Sequence, residues 1–153
     1  MANILIIFGA EYLIALPAIV LIVYFFLSPR IRRRWLALIS VVSFPLAYAV
    51  GKVAGMFYNN PRPFVSDHIV PLVQHVSDNG FPSDHTLFAA TMASVMFIFN
   101  RRFGIALYVI AIIIGISRVL AGVHHVVDIV GGALIAPVVV YITYRFLGRW
   151  FRK

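Results

Sequence analysis

Residues 117–128 read Ser-Arg-Val-Leu-Ala-Gly-Val-His-His-Val-Val-Asp and lie between two long apolar runs, at about 103–121 and 126–147. Each run is about long enough to cross roughly 30 Å of hydrocarbon at 1.5 Å per residue, so the stretch joins two membrane spans. If the helix carrying Asp128 already includes His124, the two stand four apart on one face, and the carboxylate can accept a hydrogen bond from one imidazole nitrogen. The other nitrogen is then free to attack. His125 points about 100° away on a helix, and its spacing of three to Asp128 is the weaker match. Arg118, closing the preceding span, offers a guanidinium suited to a tetrahedral oxyanion such as phosphate. The plainer alternative is that polar residues collect at any membrane edge, where His and Arg snorkel at little cost.

Composition supports the membrane reading. The 153 residues fit one domain by length, 62% are hydrophobic and the mean hydropathy is +0.96, values of a membrane protein rather than of a soluble core. In a soluble chain a net charge of +8 would suggest nucleic acid. Here its placement along the chain matters more, and no nucleic-acid partner is expected. The absence of cysteine excludes disulfides and thiolate metal sites. Further apolar runs at about 3–27, 36–58 and 85–99 bring the expected number of helices to five, an all-α polytopic bundle. The first is expected to be a retained span, since no Lys or Arg precedes it and Arg30, Arg32, Arg33 and Arg34 follow it. The third is short, which suggests that its first residues, including His85, lie below the membrane surface in a wet cavity.

With five spans, Arg30 to Arg34, Arg101 and Arg102, and Arg145, Arg149, Arg152 and Lys153 fall on one side, expected to be the cytoplasm. The N-terminus is then outside and the C-terminus inside. Lys52, Arg62, Arg118, all five histidines and Asp67, Asp78, Asp84 and Asp128 fall on the outer side. Glu11 stands apart within the first span, either functional or, more plainly, protonated or paired with Lys52 inside the bundle.

Two more segments of the outer side carry chemistry. In Asn59-Asn60-Pro61-Arg62-Pro63-Phe64 the flanking prolines stiffen Arg62 into a preorganised donor. In Gly80-Phe81-Pro82-Ser83-Asp84-His85-Thr86, Ser83 or Asp84 is an N-cap whose helix start is an anion site, with His85 beside it as a general acid. The loop between them holds Asp67, His68, His75 and Asp78, which invites a metal reading. Three cations on the same face favour an oxyanion instead, because they repel a metal ion. His68 and His75 are expected near the headgroups, with a role in gripping a polar head still open.

Together these elements resemble the type-2 phosphatidic acid phosphatase (PAP2) superfamily, with its Lys-x6-Arg-Pro, Pro-Ser-Gly-His and Ser-Arg-x5-His-x3-Asp motifs. They stand here as Lys52 with Arg62-Pro63, as Pro82-Ser83-Asp84-His85, and as Ser117-Arg118 followed by His124 and Asp128. Two positions depart from the pattern. The usual lysine position is Gly55, with Lys52 one helical turn away, and Asp84 replaces the motif glycine. The Pro-Ser-Asp-His form is similar to the bacitracin-resistance branch of undecaprenyl-diphosphate phosphatases.

The resemblance implies a PAP2/haloperoxidase-like core, no cofactor and no metal. It also implies a phosphoryl transfer in which His124, oriented by Asp128, attacks phosphorus while His85 protonates the leaving oxygen. Arg62, Arg118, Ser83 and Lys52 would hold the phosphate. The implied substrate is undecaprenyl diphosphate in the cytoplasmic membrane, hydrolysed on the extracytoplasmic face. Phosphatidic acid or phosphatidylglycerophosphate is the alternative, and a non-catalytic headgroup binder or metal carrier is the rival of another class. Oligomeric state is not readable from the sequence.

Overall fold

Pro17 sets the shape of the first span. It has no N–H for the Leu13 carbonyl, and Leu16 N–H takes that carbonyl instead at 3.0 Å. Just before it the chain widens into a π-helical turn, Phe8–Tyr12, closed by Leu13 N–H to Phe8 O at 3.0 Å. The expected first span is therefore broken: α1 (Ala2–Ile7) and the π turn meet α2 (Ala15–Leu27) at a 45° bend.

The computed structural model describes residues 1–151. Arg152 and Lys153, expected at the basic end, lie outside the described residues. After α2 come α3 (Arg30–Phe57), a single turn α4 (Pro63–Ser66), α5 (Asp84–Phe99), α6 (Arg101–Leu120) and α7 (Val126–Phe151). No named strand occurs among the described residues, where an isolated bridge joins Pro61 and Asn79. Helices α3, α6 and α7 are long and apolar enough to cross a membrane, and the bent α1–α2 pair is a fourth crossing if taken as one span. The chain is a multi-pass membrane protein built of helices.

Helix α5, the short third run, has only 16 residues and forms the axis of the bundle. Leu87 and Ala90 pack with Ala47 of α3 and Ala136 and Val139 of α7, while Ala89 meets Ala111 and Ile114 of α6. Val95 joins Leu36, Ile39 and Val140, and Met96 joins Leu107. A helix buried on every side needs no polar face, and small residues let its neighbours approach. Its hydroxyls are satisfied within the helix, Thr91 Oγ1 donating to Leu87 O at 2.7 Å and Ser94 Oγ to Ala90 O at 2.6 Å. Gly131 and Gly132 let α7 approach α5 and the segment before it closely. A Cβ on Gly131 would strike the Phe81 ring, and one on Gly132 would stand 3.0 Å from Ser83 O and Leu87 N.

The alternation of helices gives the bundle two unlike ends. At one, the ends of α2 and α5 meet the start of α6, with Tyr24 Oη donating to Phe99 O at 3.3 Å and its ring edge-on to Phe103. Arg30, Arg32, Arg34, Arg101 and Arg102 are exposed there. At the other, the π turn, the end of α3, the start of α5, the end of α6 and the start of α7 converge under the loop from Val65 to Pro82. Ala10, Val73, Ala121 and Val123 form a small apolar cluster beneath that loop.

Candidate active site

The turn after α6 passes through Gly122, whose φ of +75° suits glycine, and brings His124 to the head of α7. The helix starts at Val126, so His124 precedes it rather than sharing its face with Asp128 as the spacing implied. The contact forms nonetheless, because Asp128 reaches back across the helix start. Its Oδ2 accepts from His125 N at 2.9 Å and from His124 Nδ1 at 3.3 Å, and its Oδ1 accepts from Asn60 Nδ2 at 2.8 Å. Asp128 is fully buried and His124 nearly so. With Nδ1 donating to the carboxylate, the lone pair of His124 sits on Nε2, 3.1 Å from Arg62 Nη1, which can only donate. Burial pushes the His124 pKa below its ordinary 6.5, and Arg62 and Arg118 push the same way, against the upward pull of Asp128. The balance favours the neutral imidazole, with Nε2 facing a cation.

Arg62 precedes α4 in an extended conformation, as its flanking prolines require. It is 5% exposed, with Nη1 also donating to Val123 O at 2.9 Å and Nε to Asp78 Oδ1 at 2.7 Å. Burial would raise the Asp78 pKa, but the hydrogen bond and charge of Arg62 outweigh it and hold the carboxyl below its ordinary value. Arg118, in the last turn of α6, is fully buried, with Nη1 2.9 Å from Glu11 Oε1. Glu11 therefore pairs with Arg118 rather than with Lys52.

Ser83 caps α5, its Oγ accepting from Thr86 N at 3.5 Å and Thr86 Oγ1 at 3.3 Å. Its own N–H donates to Asp128 O at 3.0 Å, which locks the start of α5 to the start of α7. His85, in the first turn of α5, lies within electrostatic reach of Arg118, His124 and His75. His75, expected near the headgroups, turns inward, its ring centroid 6.1 Å from that of His124 and the planes at 75°. Burial and the charges of Arg62 and Arg118 lower its pKa. His68 stays on the exposed loop, and His125 faces Asp67 at 3.7 Å with Asn60 on its other side.

Lys52 is the expected phosphate ligand that lies in the open. Its Nζ lies 3.2 Å from Asp84 Oδ2, with both side chains about half exposed, and 4.8 Å above the Tyr48 ring. A Cβ at Gly55 would come 2.8 Å from Phe81 O, so the position where the resemblance expects lysine is closed by backbone. The two departures from the family pattern, Lys52 and Asp84, are thus each other's partners. Sequence reasoning assigned no role to three residues of the site: Asn60, which orients Asp128; Asp78, which holds Arg62; and Asn79. The Asn79 side chain bonds Gly55 O, Tyr58 O, Asn60 N and Phe81 N and pins the loop.

The arrangement suits nucleophilic attack on an anion: a neutral imidazole oriented from behind, two buried guanidiniums, a helix start and two further imidazoles. Among the described residues no trio of His, Asp or Glu gathers as metal ligands. A family model described as the PAP2 superfamily matches residues 36–152. The chain is 35% identical over 136 residues to the bacitracin transport permease protein BcrC of Bacillus licheniformis, covering 88% of this chain and 66% of that protein. It is 30% identical over 141 residues to the undecaprenyl-diphosphatase BcrC of Bacillus subtilis, covering 92% of this chain and 72% of that one. The solved structure of Aquifex aeolicus LpxE superposes with a TM-score of 0.71 at 26% identity, covering 92% of this chain and 81% of that chain.

Proposed function

The chain belongs to the PAP2 superfamily, and on that premise we propose that it is a metal-independent membrane phosphatase hydrolysing undecaprenyl diphosphate to undecaprenyl phosphate and phosphate. The observation that carries the reading is the placement of His124, its Nδ1 against Asp128 and its Nε2 beside Arg62. In the first step Nε2 attacks the terminal phosphorus and the bond to the bridging oxygen breaks. His85 gives that oxygen a proton, and undecaprenyl phosphate leaves. In the second, His85 takes a proton from water, the water oxygen attacks the phosphohistidine, and phosphate leaves with His124 restored. Arg62, Arg118, the Ser83 hydroxyl and N–H groups at the head of α5 stabilise the non-bridging oxygens through both steps. Lys52, paired with Asp84, adds a weaker contact to the diphosphate from its half-exposed position.

The lipid assignment rests on the likeness to the undecaprenyl-diphosphatase BcrC of Bacillus subtilis, and the siting rests on charge. Arginines crowd the end opposite His124, so that end is cytoplasmic and the pocket opens on the extracytoplasmic face of the cell membrane, with the N-terminus outside. Phosphate release by purified protein in detergent from undecaprenyl diphosphate, phosphatidylglycerophosphate and phosphatidic acid, for wild type and His124→Ala, tests it. Undecaprenyl diphosphate should be preferred by the wild type and untouched by the variant. A preference for either glycerolipid would reject the substrate, and loss of activity in EDTA would reject the metal-free chemistry.

A further inference from the structure

Glu11 lies before the region that the family model matches, and the mechanism above does not use it. Its surroundings explain how Arg118 is aimed. An arginine has a side-on edge, formed by Nε–H and one Nη2–H, that grips two oxygens of a phosphate at once. In Arg118 the remaining nitrogen, Nη1, is taken by Glu11 Oε1 at 2.9 Å and by Ala10 O at 3.3 Å. Nε and Nη2 are buried and meet no protein acceptor. Both acceptors of Nη1 belong to the π turn, whose widened backbone sets Ala10 O and the Glu11 side chain against the same nitrogen. The turn is pressed onto α6 beside the arginine, for a Cβ on Gly9 would run into Ser117. A guanidinium bound this way can rotate neither about its own plane nor out of the bundle.

We propose that Glu11 is a positioning residue that clamps Arg118 by Nη1 and so presents its Nε/Nη2 edge, vacant and desolvated, to the phosphate of the substrate. The inference rests on the reading of the site as phosphate-binding. It makes the N-terminal helix part of the active site rather than an anchor. Glu11 also supplies a negative charge that balances Arg118 while the pocket is empty, and the arriving phosphate shares that cation.

Three variants and a double-mutant cycle in the full-length detergent-solubilised protein test the proposal. Titration calorimetry with inorganic phosphate reads affinity without turnover, and thermal unfolding checks that each variant is folded. Glu11→Ala should weaken phosphate binding and lower kcat/KM about tenfold, the lower end for a charge-assisted hydrogen bond because the Glu11 side chain is 37% exposed. Glu11→Gln, which keeps an acceptor at the same place, should stay within about threefold of wild type. Glu11→Asp, which keeps the charge but falls short by a methylene, should resemble Glu11→Ala. In an Arg118→Ala background, Glu11→Ala should cost nothing further. Unchanged phosphate affinity in folded Glu11→Ala, or a full additional loss in the Arg118→Ala background, would overturn the clamp. A wild type that binds phosphate but hydrolyses no lipid would sink the functional reading instead, with the phosphate titrations still deciding the role of Glu11.

Discussion

The two ends of the bundle use arginine in opposite ways. At the α2–α3 and α5–α6 turns, Arg30, Arg32, Arg34, Arg101 and Arg102 are exposed, and Arg101 lies over the Phe97 ring with its charge toward solvent. Each can be solvated by water and headgroups, so together they report orientation and little else. At the opposite end Arg62 and Arg118 are 5% and 0% exposed. Burying a guanidinium costs several kcal/mol unless partners repay it, and here each keeps only part of its hydrogen-bonding capacity filled, by Asp78 or Glu11 and a backbone carbonyl. The difference teaches that the charges at one end are left to water and headgroups, whereas those at the other are buried at a cost that the proposed phosphate site would explain.

Substitutions can break or sharpen this contrast. The largest effect should come from His124→Ala, which removes the nucleophile and should lower kcat by on the order of 10⁴-fold or more, measured as phosphate release with the fold intact by circular dichroism. Arg62→Ala and Arg118→Ala should each lower kcat/KM by about 10²–10³-fold. Arg101→Ala, at the other end, should leave it unchanged, and equal losses at both ends would erase the contrast. The pH dependence of kcat/KM should have an acid limb below the ordinary histidine value of 6.5, because the pKa of His124 is lowered and activity is lost as Nε2 is protonated on falling pH. Asp128→Asn removes an interaction that raises that pKa, so its limb should move to still lower pH while kcat falls. His75→Ala, removing an imaged neighbour of His124 but no oriented donor, should raise KM about tenfold. Lys52→Ala should have the smallest effect at this end, under about threefold, since a half-exposed ion pair is worth ~0–1 kcal/mol.

Much of the architecture was legible because membrane helices announce themselves by local composition. The helices follow from their apolar runs, although α5 is too short to pass as a full span, and the nearness of His124 to Asp128 follows from their spacing of four, although the shared helix face that spacing implied does not form. The break at Leu13 was less visible. A proline inside an apolar run is common in membrane bundles, and the effect of Pro17 on the Leu13 carbonyl depends on the π turn before it. What sequence could not supply were contacts between distant segments. Arg118 finds Glu11 107 positions away, Asn60 finds Asp128 at 68, and Arg62 finds His124 at 62. No periodicity links such partners. The loop from Val65 to Asn79 has neither helical nor strand pattern, so the inward turn of His75 is decided by the hydrogen bonds of Asn79 and by Leu72 N–H on Ala121 O. The Lys52–Asp84 pair is intermediate, because both residues were recognisable as departures but only folding shows that they compensate each other.

The central claim is that His124 becomes phosphorylated during turnover. Enzyme turning over undecaprenyl diphosphate labelled with ³²P in its terminal phosphate can be quenched in alkali, which preserves phosphohistidine, and its peptides mapped. The account predicts label on His124 and on no other residue. Label on a different side chain, or its absence from an enzyme caught in active turnover, would contradict it.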